Sequence, residues 1–160
     1  MIEPRRIYLK TDDWIPNNPC LPVLIYRNAA DYDLPDIGTA LEEMFERNGW
    51  RSLGRGNIHR DFHYHSTALE VIGIASGSAI LGIGGRHSPR LAVDAGDVLV
   101  LPAGTGHARI RGSSDFSVVI ASPEDQEPDF CREMASFEIV SAIADLPYPP
   151  TDPVAGGRPR

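Results

Sequence analysis

The feature that most constrains the fold is a series of short β-rich pieces separated by glycines, which runs from residue 50 to about residue 122. The pieces are IHRDFHYH, EVIGIA, AILGIGG, RLAVDAG, DVLVLPAG, HARIRG and DFSVVIAS. Short strands at this regular spacing, with turn residues between them, are typical of an antiparallel sandwich or barrel. The sequence therefore predicts an all-β core over residues 50–122.

The segments on either side of this core differ in character. Residues 1–49 hold two proline-flanked apolar pieces, RIYL and PVLIY, which suit edge strands, and then DIGTALEEMFERNGW, whose apolar spacing predicts a short helix. Residues 123–160 open on an acidic loop, PEDQEPD, continue into a short predicted helix near SFEIVSAIADL and end in an irregular tail rich in proline and glycine. At this length we expect one domain, residues 1–160.

Charge and targeting signals argue against several partners. The net charge is −7 and there is no basic run, so we expect neither a nucleic-acid nor an anionic-membrane partner. The sequence shows no h-region typical of a signal peptide and no apolar run of membrane-spanning length, so we expect a cytoplasmic protein by default. Cys20 and Cys131 fit neither a disulfide nor a metal-binding pattern.

The stretch HYHSTALE, residues 63–70, places imidazoles and a carboxylate where a strand is predicted. Side chains two apart in a strand share a face, and one predicted face holds His59, Asp61, His63 and His65. The other face is apolar, so we expect the N-terminal segment, another sheet or a second subunit to cover it; it holds Ile58, Phe62 and Tyr64. Glu70 has the wrong parity and joins the histidines only if the chain turns or bulges at residues 66–68.

A second cluster, GDVLVLPAGTGHARIR at residues 96–111, completes a pattern. The two stretches resemble the paired motifs of the cupin superfamily. The first is similar to G-x5-H-x-H-x3,4-E-x6-G and the second to G-x5-P-x-G-x2-H-x3-N; the matches are His63, His65, Glu70, Gly77, Gly96, Pro102, Gly104 and His107. Asn57 and Arg111 stand where these motifs have their first glycine and last asparagine. The pieces IPNNPCLPVLIYRNA, FERNGW, LPAGTGH and DFSVV are similar to the small stand-alone bacterial cupins of the YjlB type.

The resemblance implies a fold and a metal site. The fold is a single double-stranded β-helix, the cupin jelly-roll barrel, and the ligands of one divalent transition metal would be His63, His65, Glu70 and His107. Three imidazoles and a carboxylate suit iron, manganese, nickel, cobalt or zinc (Fe, Mn, Ni, Co or Zn). Four ligands leave two open positions on a six-coordinate ion and none on tetrahedral zinc, which favours the octahedral metals. The alternative is a metal-free hydrogen-bonded cluster.

Four further residues are candidates for chemistry beside the metal. His59 and Asp61 share the predicted ligand face. They could act as an acid/base pair, orient an imidazole, or form a solvated rim of the barrel. Counting by twos from His107 places Arg109 and Arg111 on the ligand face, provided that the strand has no bulge.

The two arginines need a counter-charge if they face a barrel interior. An internal ion pair with Asp61 or Glu70 is one explanation. The other is that an arginine binds a substrate carboxylate or phosphate through a bidentate contact, with Arg109 the stronger candidate because it lies nearer to His107.

Two classes of function stay open. The first is a metal-dependent enzyme, such as a dioxygenase, isomerase, epimerase or lyase, that acts on a small oxygen-rich or anionic molecule. The second is a non-catalytic module or sensor that binds a small-molecule ligand. The presence of His59 and Asp61 favours the enzyme. Similar cupins are commonly dimers, so the resemblance also implies a homodimer.

Overall fold

The computed structural model describes residues 2–157 of the chain. Nine strands and two helices follow one another in the order β1 (Arg5–Ile7), β2 (Val23–Tyr26), α1 (Ile37–Arg47), β3 (Trp50–Gly56), β4 (Glu70–Ser76), β5 (Ser78–Ile83), β6 (Arg90–Asp94), β7 (Val98–Leu101), β8 (His107–Gly112), β9 (Ser117–Pro123) and α2 (Phe137–Asp145).

The strands form two antiparallel sheets. One has six strands in the order β1-β2-β7-β4-β9-β3, and the other has three in the order β6-β5-β8. The main apolar core takes side chains from both sheets, among them Ile72, Leu99 and Val118 of the larger and Leu81 and Val93 of the smaller. The core therefore lies between two sheets, and the predicted all-β jelly roll is confirmed.

A second apolar cluster joins α1 to the outer face of the larger sheet. Leu41 and Phe45 of the helix pack with Val71, Val98 and Val119 of the sheet. The helix begins after Asp36, whose side chain accepts a hydrogen bond from the main-chain N–H of Thr39, as N-cap residues do. The apolar spacing in DIGTALEEMFERNGW thus predicted this helix correctly, and burial of its apolar stripe is what stabilises it.

The prediction that both N-terminal strands are edge strands is half right. β1 is the edge of the larger sheet, but β2 lies between β1 and β7 and pairs with both. Pro22 stands immediately before β2, where it interrupts no strand hydrogen bond.

The C-terminal residues are tied to the rest of the chain by side-chain hydrogen bonds. The Trp50 indole N–H donates to Thr151 O, Asn48 Nδ2 donates to Pro153 O, and the Tyr26 hydroxyl donates to the buried Asp152 carboxylate. Neither helix within residues 2–157 is long and apolar enough to cross a membrane.

Two irregularities shape the functional end of the molecule. The stretch from residue 57 to residue 69 forms no continuous strand; it makes only isolated bridges, His63 with His107 and Tyr64 with Cys131. In β8, Arg111 pairs with Ile80 and Arg109 with Leu81, so the residue between the two arginines is an extra one, a β-bulge. Each irregularity corrects a prediction made from strand alternation, as described below.

Candidate metal centre

Three histidines converge at one end of the barrel. The isolated bridge holds His63 and His107 side by side through main-chain hydrogen bonds in both directions, and their ring centroids lie 4.2 Å apart. His65 follows two residues later, with its ring 5.4 Å from that of His107. One ligand atom from each ring lies within 4.8 Å of the others, a spacing that could hold a metal ion.

Glu70 joins the histidines because the chain bends between them. Residues 66 and 67 form a bend, and Glu70 then opens β4. Glu70 is only 5% exposed, and its carboxylate Oε2 lies 2.9 Å from His65 Nε2 and its Oε1 3.5 Å from His107 Nε2. The structure thus brings together all four residues predicted as metal ligands, His63, His65, Glu70 and His107, hereafter the His/Glu cluster.

Hydrogen bonds to the backbone fix the orientation of each imidazole. The Nδ1 atoms of His63, His65 and His107 lie 3.0, 2.5 and 2.9 Å from the main-chain oxygens of Asp61, Asp129 and Thr105. A carbonyl oxygen can only accept, so each Nδ1 carries the hydrogen and donates it. In the neutral ring, Nε2 then has a free lone pair. This is the arrangement of metal-binding histidines, whose other ring nitrogen donates outward.

The electrostatics of the cluster favour a neutral His63 close to an ionised Glu70. Burial, together with the neighbouring His107, lowers the pKa of His63 to about 3, so that this ring is neutral near pH 7. Burial alone would also lower the pKa of His65, but its hydrogen bond to Glu70 and the Glu70 charge raise it. Although burial opposes ionisation of Glu70, hydrogen bonds from His107 and His65 hold its pKa below the usual range. A metal ion would displace the proton shared by His65 and Glu70.

The cluster lines a cavity of about 790 Å³. The polar residues around it include the predicted His59, Asp61 and Arg109. The apolar residues are Ile58, Ile72, Ile120 and Phe130. A cavity of this size suits a small molecule.

His59 and Asp61 line the cavity but do not form a hydrogen-bonded imidazole–carboxylate pair. The main-chain N–H of Asp61 donates to His59 Nδ1 at 3.1 Å, whereas the Asp61 carboxylate lies 4.0 Å from that atom and binds Arg132 at 2.9 Å. Because Nδ1 accepts a hydrogen bond, Nε2 is the atom through which His59 could exchange a proton with a bound molecule. An acid/base role for the two residues stays a prediction.

The two arginines of β8 lie in different pockets. Arg109 lines the cavity, and it makes no ion pair with any residue in the range 2–157. The internal ion pairs proposed for it are not formed, since Asp61 binds Arg132 and Glu70 binds the histidines. Arg111 is exposed and lines a different pocket, because the bulge at Ile110 reverses the alternation after Arg109. Its predicted place on the ligand face is therefore wrong.

The apolar face predicted opposite the histidines is not a single face. Ile58 is 4% exposed, belongs to the core between the sheets and lines the cavity, so its predicted position was wrong. The ring of Phe62 packs over Gly82 of β5. Tyr64 is buried 6.0 Å, centroid to centroid, from Trp14, as expected for cover by the N-terminal segment.

Asp129 and Phe130 lie against the cluster, in a role that no sequence pattern predicted. The Asp129 carboxylate accepts hydrogen bonds from the N–H and the hydroxyl of Ser66, and its main-chain oxygen accepts from His65 Nδ1. The Phe130 ring stacks on His63, with centroids 4.7 Å apart and planes at 18°. Asp129 ends the stretch PEDQEPD, whose composition predicts only an acidic loop.

Comparison with known proteins agrees with the resemblance seen in the motifs. No protein-family model matches the chain. The uncharacterized protein YjlB of Bacillus subtilis (strain 168) is 32% identical over 158 residues, which cover 98% of this chain and 93% of that protein. The chain belongs to the YjlB family. The alignment with YjlB includes both cupin motifs of this chain, because the alignment covers almost the whole chain.

A comparison with solved structures found a partial alignment. The acireductone dioxygenase from Bacillus anthracis, with a cadmium ion in its active centre, aligns with 68% of this chain and 54% of its own. The TM-score is 0.32 and the sequence identity 19%. These values are too low to say anything about the site.

Proposed function

We propose that this protein is a metal-binding cupin that acts on a small oxygen-rich or anionic molecule. The His/Glu cluster would hold one divalent transition metal, and the adjoining cavity would hold the molecule. The observation that carries the proposal is the orientation of the rings: each Nδ1 donates to a main-chain carbonyl, which leaves Nε2 as the nitrogen of each ring that a metal ion could take, beside a buried carboxylate.

The donor set supports the octahedral metals over zinc. Three imidazole nitrogens and one carboxylate oxygen leave a six-coordinate Fe, Mn, Ni or Co ion two positions for water, substrate or oxygen. A tetrahedral Zn ion would be fully occupied by the same four ligands and would have a structural role. Zinc is therefore the second choice.

The reaction classes we propose are dioxygenation and isomerisation or epimerisation. When bound, the metal would supply a Lewis acid or activate oxygen. Arg109 would hold an anionic group of the substrate, since its guanidinium has no ion-pair partner among residues 2–157. His59 would accept or donate a proton through Nε2.

A non-catalytic binding or sensor function is the second candidate. It is favoured by the missing hydrogen bond between His59 and the Asp61 carboxylate, because an acid/base pair normally depends on one. A metal-free cluster is also self-consistent, since no buried side-chain polar atom among the described residues lacks a hydrogen-bond partner. We further propose a cytoplasmic homodimer; the exposed Met134 and Phe137 are apolar surface that a second subunit could cover.

Metal analysis tests the proposal directly. The protein is purified without oxygen, and bound metal is measured by mass spectrometry for the parent, His65→Ala and His87→Ala. His87 is the control because it belongs, with Asp12 and Asp13, to a second group that could hold a metal ion, so this variant would lose metal only if the ion were bound there. We expect one metal per parent chain, a large loss in His65→Ala and no change in His87→Ala. Full occupancy in a folded His65→Ala protein would refute the assignment.

A further inference from the structure

The residues that line the cavity with the His/Glu cluster are of two chemical kinds, which we call its polar wall and its apolar wall. One is polar and includes the cluster and Arg109. The other is apolar and consists of Ile58, Ile72, Ile120 and Phe130. Ile58 and Ile72 belong to the main core between the sheets, and Ile120 packs against that core, so these three side chains have fixed positions.

Phe130 is the exposed member of the apolar wall. It is 52% exposed, yet its ring is stacked on His63 and lies 5.6 Å from the ring of His59. Its two neighbours are anchored: the Asp129 carboxylate by Ser66, and Cys131 by main-chain hydrogen bonds with Tyr64. A half-exposed aromatic ring held in one place beside a cavity is a surface on which an apolar group of a ligand can be buried.

The polar wall sets the spacing of the ligand's oxygens. His107 and Arg109 are two residues apart on β8, before the bulge, so their α-carbons are about 7 Å apart and their side chains share a face. A compound with a carboxylate next to a carbonyl or hydroxyl can therefore reach the guanidinium and the cluster at once. Arg60, the other arginine lining the cavity, is exposed.

We propose that the ligand is a 2-oxo or 2-hydroxy carboxylate with an apolar, aromatic or branched side chain, and that Phe130 determines this specificity. The inference rests on the proposed function, in which the His/Glu cluster holds a metal. The acid group binds Arg109, the neighbouring oxygen faces the cluster, and the side chain lies on Phe130 and the isoleucines. A sugar would place hydroxyl groups against this wall, which offers side chains without hydrogen-bonding atoms, and that is unfavourable.

Calorimetric titration of the metal-loaded, full-length protein without oxygen tests the inference. The probes are phenylpyruvate and pyruvate, which differ by the phenyl group, and glucose as the oxygen-rich comparison. In the parent we expect phenylpyruvate to bind at least about tenfold more tightly than pyruvate, since an apolar group in a matching pocket is worth at least that factor. We expect no binding of glucose.

Three variants assign the effect to residues. Phe130→Ala should bring the two dissociation constants together by weakening phenylpyruvate alone. Arg109→Gln should weaken both acids by the same factor. Arg111→Gln, outside the cavity, should change neither.

The inference is overturned if neither acid binds the parent, if pyruvate or glucose binds as tightly as phenylpyruvate, or if Phe130→Ala weakens both acids equally. Failure of the proposed function is seen separately, in the metal content of the same preparations. If the parent holds no metal, the ratio of the two dissociation constants and its loss in Phe130→Ala still decide whether the apolar wall selects the ligand.

Discussion

Replacing Asn17 by alanine should destabilise the loop that leads into His107. Asn17 is 1% exposed, and its side-chain amide makes three hydrogen bonds. Nδ2 donates to Lys10 O at 2.7 Å and to Gly84 O at 3.0 Å, and Oδ1 accepts from the N–H of Gly106 at 2.9 Å. The Asn17 backbone is also left-handed, with φ of 53°. One buried side-chain amide thus binds three segments of the chain, one of which ends at Gly106, the residue before His107.

The expected loss of stability follows from these contacts. Alanine leaves three main-chain groups without their partner, at about 1 kcal/mol each, or about 3 kcal/mol together. A left-handed backbone costs alanine about 1 kcal/mol more than asparagine, which tolerates that conformation. We therefore expect Asn17→Ala to lower the free energy of unfolding by about 4 kcal/mol, measured by equilibrium urea denaturation.

Asn28 provides a matched control. Its φ is 51°, and its side chain makes no hydrogen bond with residues 2–157. Asn28→Ala therefore changes the left-handed backbone preference alone and should cost about 1 kcal/mol. Equal losses in Asn17→Ala and Asn28→Ala would show that the three hydrogen bonds contribute nothing and that the reasoning is wrong.

Two further substitutions and one deletion each have a distinct expected result. Asp129→Ala should weaken metal binding at least about tenfold in a competition titration, because the loop that orients His65 loses its anchor; an unchanged affinity would contradict this. Gly73→Ala should cost about 1–3 kcal/mol in urea denaturation, since a Cβ there would lie 2.9–3.1 Å from three apolar side chains, whereas Gly56→Ala, with nothing within 4 Å, should cost less than this. Deleting residues 1–20 should abolish cooperative thermal unfolding, since it removes β1 and the Asn17 contacts; a parent-like melting curve would be the contrary result.

The motif spacing predicted the ligand residues because their geometry is largely local. His63 and His65 are two residues apart, and one bend brings in Glu70. His107 comes from a distant strand. Its place beside the other ligands was predicted only because the resemblance to the paired cupin motifs implies it. Helix α1 was likewise predictable, because its apolar stripe and its N-cap residue both lie within one short segment of the sequence.

Strand alternation failed where the backbone departs from a regular strand. Ile58 was assigned to the wrong side because residues 57–62 are irregular, so counting by twos has no meaning there. Arg111 was misplaced by a single extra residue at Ile110, a bulge position that is itself neither glycine nor proline. Asp129 and Phe130 could not be found, because a loop 64 residues away from His65 leaves no periodic signal.

The three carbonyls that orient the imidazoles differ in how far away they lie along the chain. Those for His63 and His107 are two residues upstream, whereas the one for His65 is 64 residues downstream. The rings of His63 and His107 are therefore oriented as soon as their own turns form. The ring of His65 is oriented only after residue 129 has been synthesised and has packed against it. We expect a nascent chain to acquire its metal late, so that chains truncated before residue 129 bind the ion weakly while the full chain retains it through dialysis.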